Sequence, residues 1–476
     1  MRTAAEYRER LRSMQKNVYH NGELIGRDHP ALAPGINVIS LTFDAASDPE
    51  LQELVTATSH LSGQSINRFT HIHQSPDDLM KKQEMTRRLC QKTGGCIQRC
   101  MGIDALNALS VITKEVDNLA GTEYHERFLA YLRYFQENDL VGCCAQTDVK
   151  GDRSKRPHQQ IDPDLYVHIV ERKSDGIVVR GAKANITIAA YSDEIIAIPT
   201  RFLTPEEGDW AVAFAIPADS QGVKLITRAT SPRPREQLRA PMVDYGAADS
   251  VVIFDNVFVP WERVFLCGEH QAAGLLAALF ATYHRHSYTG CKPATTDLMM
   301  GAAALAAEYN GVGKASHVRD KLADLIAVAE LVYAAGIAAA VKSTRYASGT
   351  YVPDFVFTNV GRYHAGTQLY HEYEIVADLA GGLPATLPPE RDWFNPETRP
   401  YLEKYIMRNP AVSAENQHRL FRALSDVLCS SLGGVMQVAG IHGGGSPIME
   451  RIAITQQYDL ESKKSLFKRL AGIPAD

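Results

Sequence analysis

The chain changes texture twice, and that alternation limits what it can fold into. Up to about Val141, apolar residues recur at three- and four-residue spacing: Ile97, Met101, Ile103, Leu106 and Leu109, then Phe128, Leu132 and Phe135. The period predicts amphipathic helices over residues 6–15, 96–116 and 124–137. From about Asp148 to Cys267 the runs are short and rich in Val, Ile, Phe and Tyr: 165–170, 176–179, 184–189, 194–198, 210–216 and 251–259. Turn residues such as Ser174-Asp175-Gly176 separate them, and no helical stretch intervenes. An antiparallel sheet or barrel is predicted, not a nucleotide-binding βαβ fold. From Gln271 the pattern is helical again. Residues 298–308 and 318–346 read as a packed bundle, residues 381–400 as a connection with five prolines, and residues 416–434 as a further helix. The fold class is α+β in three parts: a helical domain (1–141), a β domain (142–270) and a helical bundle (271–476).

A chain of 476 residues, 45% hydrophobic and 22% charged, can bury large cores without disulfides. Its net charge of −5 gives no reason to expect nucleic acid as a partner. The longest apolar run, residues 331–341, is shorter than the roughly 20 residues of a bilayer span, so no membrane partner is expected. The polar start Met1-Arg2-Thr3-Ala4 lacks the apolar core of a signal peptide, and a cytoplasmic location is expected. Eight cysteines in such a chain read as buried thiols, with a minority in metal or redox chemistry.

Two segments carry unusual chemistry. Cys96-Ile97-Gln98-Arg99-Cys100 spaces two thiols so that on a helix they would share a face one turn apart, as two ligands of one metal centre. The plainer reading is two half-buried cysteines. In the segment from Tyr283 to Lys292, His284, Tyr288 and Cys291 stand at i, i+4 and i+7, one helical stripe of imidazole, phenol and thiol with Lys292 at its edge. A polar helix packed on another domain would look the same. Together the segments offer three thiols and an imidazole, which suits zinc or a four-iron cluster with one histidine ligand. Gln146-Thr147-Asp148-Val149-Lys150-Gly151-Asp152-Arg153 sets cations around a glycine and suits a pyrophosphate, or merely a charged surface turn. His71-Ile72-His73 puts two imidazoles on one side of an extended segment, most simply as surface polar residues.

These segments, with Gln136-Glu137-Asn138-Asp139-Leu140, Arg180-Gly181-Ala182-Lys183-Ala184 and Phe254-Asp255-Asn256-Val257-Phe258-Val259-Pro260, resemble the 4-hydroxybutyryl-CoA dehydratases. Those enzymes are a branch of the wider 4-hydroxyphenylacetate 3-hydroxylase family, and the resemblance runs nearly end to end. It implies an acyl-CoA dehydrogenase-like fold assembled as a homotetramer, a [4Fe-4S] cluster, FAD and a short acyl-CoA substrate. Carried over by motif, Cys96, Cys100, His284 and Cys291 are the cluster ligands, and Cys90, Cys143, Cys144, Cys267 and Cys429 are bystanders. Gln146, Thr147, Asp148, Lys150, Gly151, Asp152 and Arg153, with Asn185, Ile186 and Thr187, line the FAD, Thr187 near the flavin N5. Val376, Ala377, Asp378, Leu379 and Ala380 add an FAD site from the bundle. Tyr288, Lys292 and Arg87 match further active-site positions.

The implied reaction removes water from 4-hydroxybutyryl-CoA through a transient radical, or shifts the double bond of vinylacetyl-CoA. His284 is a displaceable ligand that can serve as base, Tyr288 exchanges a proton with substrate, and Lys292 holds negative charge or pairs with Asp249. The sequence departs from the pattern twice. Asp249 stands where the family has a glutamate, and a second glutamate has no counterpart, Ala439 occupying its place. Either Glu450 or another side chain reaches the vacated space, or the enzyme mainly isomerises or uses a different acyl-CoA. The alternatives are a reduced-flavin aromatic monooxygenase, which has no use for three cysteines and a histidine in register, and a zinc-binding structural relative.

Overall fold

Capping residues and left-handed positions set the helix ends. Thr3 and Glu6 form a reciprocal capping box that starts the helix Ala4–Ser13. Ser75, followed by Pro76, starts Pro76–Thr93, which stops where Gly94 turns left-handed (φ 67°). The computed structural model describes residues 1–474. In it the helix expected over 96–116 begins only at Cys100 and runs to Ala120. Gln98 is itself left-handed (φ 64°), a conformation an α-helix cannot contain. Cys96 therefore lies in a loop that folds back on the helix, and the two thiols do not share a helical face. The helix over 124–137 forms as read, Tyr124–Glu137.

The β region makes two sheets. One has six strands in the order Glu23–Ile25, Val18–His20, Val223–Thr230, Ala247–Pro260, Gly176–Thr187 and His168–Arg172. The other has four: Val264–Cys267, Val212–Pro217, Glu194–Ala197 and Gly142–Ala145. Two pairings are parallel, Val18–His20 with Val223–Thr230 and Gly142–Ala145 with Glu194–Ala197, where an antiparallel arrangement was expected. The separate runs 176–179 and 184–189 are largely one strand; it bulges between Lys183 and Ile186, and its partner Ala247–Pro260 bulges between Phe254 and Val257. Both sheets bury Val and Ile in one core, which also takes Tyr7, Leu11, Ile36, Ile39 and Phe43 from the first helices.

Three long helices follow: His270–Tyr309, Ser316–Val341 and Phe355–Ala380. Ser316–Val341 is long and apolar enough to cross a bilayer, yet it packs against the other two. The helix expected over 416–434 is two, Ala414–Cys429 and Ser431–His442, divided where Ser430 goes extended and caps the second. His270–Tyr309 crosses Pro76–Thr93 and Cys100–Ala120 and so joins the first and last parts of the chain.

That crossing depends on Pro293 and Gly290. Pro293 has no N–H for the carbonyl of Thr289, four residues back. The buried Gln83 side chain supplies the missing donor, Nε2 to Thr289 O at 3.2 Å, and also reaches Tyr333 O at 2.8 Å. Gly290 lets the two backbones approach, since a Cβ there would overlap the carbonyl oxygen of Gln83. Gly290→Ala is expected to destabilise the fold by about 1–3 kcal/mol through overpacking, read as a lower midpoint in urea with an unchanged slope. A midpoint equal to that of wild type would refute this account of the crossing.

Candidate functional site

The crossing brings the stripe on His270–Tyr309 against the Gly94–Arg99 loop and the start of Cys100–Ala120. Cys96 hydrogen-bonds to both Cys100 and Cys291, and all three thiols are buried or half-buried. The bond from Cys100, then that from Cys291, pulls the Cys96 thiol well below its ordinary value. Cys100 is pushed up by its bond to Cys96 and by burial, and Cys291 by its bonds to Cys90 and Cys96. Three sulfurs in mutual contact are a donor set of the kind that binds soft metals once deprotonated. Cys90, read as a bystander, lies against Cys291 and accepts a hydrogen bond from Ile97 N at 3.3 Å.

His284 completes the group. The ligating atoms of Cys100, Asp104 and His284 lie within 4.8 Å of one another. The imidazole stacks on Phe280, centroids 5.6 Å apart and planes at 4°. Its Nδ1 donates to Asp104 at 3.1 Å. Asp104 is fully buried and also takes hydrogen bonds from Lys82 and Ser287. Burial opposes its ionisation, but the Lys82 charge and the His284 bond outweigh that and hold its carboxyl below the usual range. Asp104 and Lys82 went unread. The available signal was the four-residue step from Cys100 to Asp104, which puts both on one helical face.

Tyr288 donates to the carbonyl of Gly440 at 2.9 Å, and the Arg362 guanidinium lies 4.3 Å from its ring centroid. Burial pushes the phenol well up. Lys292 does not meet Asp249. It is buried in an ion pair with Glu372 on the Phe355–Ala380 helix, with Thr296 as a further partner. Asp249 instead accepts from Thr187 Oγ1 at 2.6 Å, because the two are cross-strand partners with side chains on one face. Burial raises its carboxyl, against the Thr187 bond. Arg87 is committed to Asp297 at 3.0 Å and Glu330 at 2.8 Å and stacks on Tyr333, stapling three helices.

Glu450 is fully buried on the helix Pro447–Gln457, 3.5 Å from Arg362 Nε, and neither of its oxygens has a hydrogen-bond partner. Arg362 donates from Nε and Nη2 to the carbonyls of Ile441 and Gly443, and its Nη1 has no partner. Glu450 thus reaches the Tyr288 side of the site through Arg362, while Ala439 is exposed. Burial raises the Glu450 carboxyl despite Arg362 and Arg285.

The two segments read as flavin-lining are brought together. Ala184 N donates to Thr147 O at 2.8 Å, and Lys183 pairs with Asp148 at 2.8 Å. Gln146 donates to Ala277 O at 3.2 Å and Asp152 accepts from Ser154 N at 3.0 Å; Gly151 and Arg153 are exposed and Lys150 is half-buried. Lys150 and Gly151 are both left-handed (φ 75° and 53°), and Asn185 is as well (φ 58°). Val376, Leu379 and Ala380 sit instead in the core of the last helices. Asp378 pairs with Lys321, and Ala377 lines a cleft of about 370 Å³ with Tyr370, Tyr373 and Cys429.

With this fold and site, the chain belongs to the 4-hydroxyphenylacetate 3-hydroxylase family. The family's N-terminal model matches residues 3–266 and its C-terminal model residues 273–472. Within it, the chain is 42% identical to the 4-hydroxybutyryl-CoA dehydratase/vinylacetyl-CoA-Δ-isomerase of Clostridium aminobutyricum, over 99% of both chains. The oxygen-tolerant archaeal 4-hydroxybutyryl-CoA dehydratase from N. maritimus superposes with a TM-score of 0.95 at 40% identity, covering 100% of this chain and 96% of that one. The oxygenase component of 4-hydroxyphenylacetate 3-monooxygenase, solved with FAD, gives 0.87 at 26% identity, covering 99% and 98%.

The buried Lys292–Glu372 pair makes a test of the site's frame. Lys292→Met leaves Glu372 buried without a partner and is expected to cost about 3–5 kcal/mol. Removing both charges, as in Lys292→Met with Glu372→Leu, should recover most of that in denaturant unfolding. A single variant as stable as wild type would contradict the pair's role.

Proposed function

We propose that this protein is an iron–sulfur flavoenzyme that dehydrates 4-hydroxybutyryl-CoA to crotonyl-CoA and isomerises vinylacetyl-CoA. The convergence of Cys96, Cys100, Cys291 and His284 in one buried site carries the reading. Soft thiolates with one imidazole suit a [4Fe-4S] cluster with a replaceable ligand. Lys150, Gly151 and Arg153 beside Asn185–Thr187 suit the pyrophosphate and ring of FAD. The full-length identity to a dehydratase supports the substrate class, and the 29% identity to the Thermus thermophilus monooxygenase component makes aromatic hydroxylation the weaker reading. A homotetramer of acyl-CoA dehydrogenase-like protomers, with domains over 1–141, 142–270 and 271–476, in the cytoplasm, belongs to the same proposal.

When bound, the cluster supplies a Lewis-acidic iron for a leaving hydroxyl and the flavin supplies single-electron chemistry. The protein's residues do the rest. His284 takes the proton from the carbon next to the thioester, and Tyr288, under the Arg362 charge, exchanges a proton with the substrate. Thr187 holds Asp249 toward the thiols, and Asp249 accepts or returns a proton on that side. Glu450, raised by burial and short of hydrogen-bond partners, takes the role that Ala439 cannot fill. Removing water from the site strengthens each of these interactions.

Anaerobic purification should yield about four iron and four sulfide per protomer together with FAD, and the protein should convert both acyl-CoA substrates to crotonyl-CoA. Protein free of iron and flavin, or with flavin alone and activity on a phenol, would reject the reading. Glu450→Gln is expected to lower kcat by about 10²- to 10⁴-fold. It should also change the pH dependence of stability. A carboxyl whose folded pKa is raised contributes stability that is full below its unfolded value and lost as pH rises through the folded one. Wild type should therefore lose Tm relative to Glu450→Gln as pH rises above the ordinary carboxylate range. A constant difference would show that Glu450 is not held protonated by the fold.

A further inference from the structure

Asp104 stands one turn beyond Cys100 on the same helix, and both it and Lys82 are wholly removed from solvent. The carboxylate is occupied from three sides. Lys82 Nζ donates at 3.0 Å, Ser287 Oγ at 2.9 Å and His284 Nδ1 at 3.1 Å. Lys82 also donates to the carbonyl of Tyr283 at 3.2 Å, so the clamp reaches the backbone beside His284. A carboxylate facing an ammonium is an acceptor only. Nδ1 of His284 therefore carries a hydrogen, and in the neutral imidazole Nε2 holds the lone pair. Phe280, stacked flat on the imidazole, restricts the plane of the ring.

We propose that Asp104, clamped by Lys82 and Ser287, is the positioning residue that fixes the tautomer and orientation of His284, so that Nε2 is the atom offered to the cluster. The inference rests on the cluster reading given above. The same geometry admits a rival, in which Cys100, Asp104 and His284 together ligate a single metal ion. The hydrogen bonds argue against it. As a ligand, Asp104 would have to give up donors that now hold it, His284 and Ser287 at Oδ2 or Lys82 and Ser287 at Oδ1. A carboxylate already satisfied by an ammonium, a hydroxyl and an imidazole N–H orients a ligand better than it serves as one.

The test uses two double variants of the full-length holoenzyme that remove both buried charges. Lys82→Met with Asp104→Leu abolishes the acceptor for Nδ1–H, whereas Lys82→Met with Asp104→Asn keeps a carbonyl oxygen in its place. Flavin content and thermal unfolding check the fold. Iron retention against a chelator is expected to weaken about 10- to 100-fold in the leucine variant, the usual cost of losing such a partner, and to stay close to wild type in the asparagine variant. The ⁵⁷Fe Mössbauer spectrum should show one iron distinct from the other three in wild type and in the asparagine variant, and lose that distinction in the leucine variant. A folded leucine variant with wild-type iron retention and spectrum overturns the inference alone. So does a holoenzyme crystal structure with Nδ1 on iron, or with Asp104 as a ligand, whether or not the variants fold. Wild type that carries no iron or sulfide overturns both this inference and the reading beneath it.

Discussion

A helix that buries His284, Ser287, Cys291 and Lys292 and half-buries Tyr288 needs a partner for each of them, because an unsatisfied polar group in the interior costs a few kcal/mol. His270–Tyr309 is such a helix, and much of the surrounding structure answers that requirement. Asp104 and Lys82 meet His284 and Ser287, the Gly440 carbonyl meets the Tyr288 hydroxyl, Glu372 meets Lys292, and Cys96 meets Cys291. These partners come from segments nearly 360 residues apart in the chain, counting from Lys82 to Gly440. The first and last helical regions are thereby locked together around the site. Pro293 and Gly290 do the same for the backbone, one leaving a carbonyl for Gln83 and the other opening the space in which Gln83 lies.

Against that background the unsatisfied groups stand out. Glu450 is buried with two bare oxygens, and Arg362 beside it leaves Nη1 unpaired. Uncompensated polar atoms in an interior point to strain, an absent ligand or catalysis. Their position next to Tyr288 favours the last two. Asp249 shows the contrasting case. A side chain shorter than glutamate still finds a partner, because cross-strand pairing delivers Thr187 to it at 2.6 Å. In the function proposed above, Asp249, set by strand register, and Glu450, on the helix after the glycine turn, stand in for the two family carboxylates.

The sequence by itself determined the local periods and the chemistry of the stripe. Helices over 124–137 and through 298–308, the short β runs, and the i, i+4, i+7 relation of His284, Tyr288 and Cys291 follow from spacing, which local backbone geometry dictates. Resemblance to a family implied a role for each thiol. Only the tertiary structure decided which charges meet. Lys292 was matched by sequence to Asp249 but finds Glu372, and Cys96 and Cys100 meet through a left-handed loop residue instead of a helical turn. The parallel pairing of Val18–His20 with Val223–Thr230 and the clamp of Lys82 on Asp104 join residues far apart in the chain. The physical reason is one of range. Periodicity records which face of an element is buried, while the identity of what covers that face depends on how elements pack, and no local pattern along the chain encodes it.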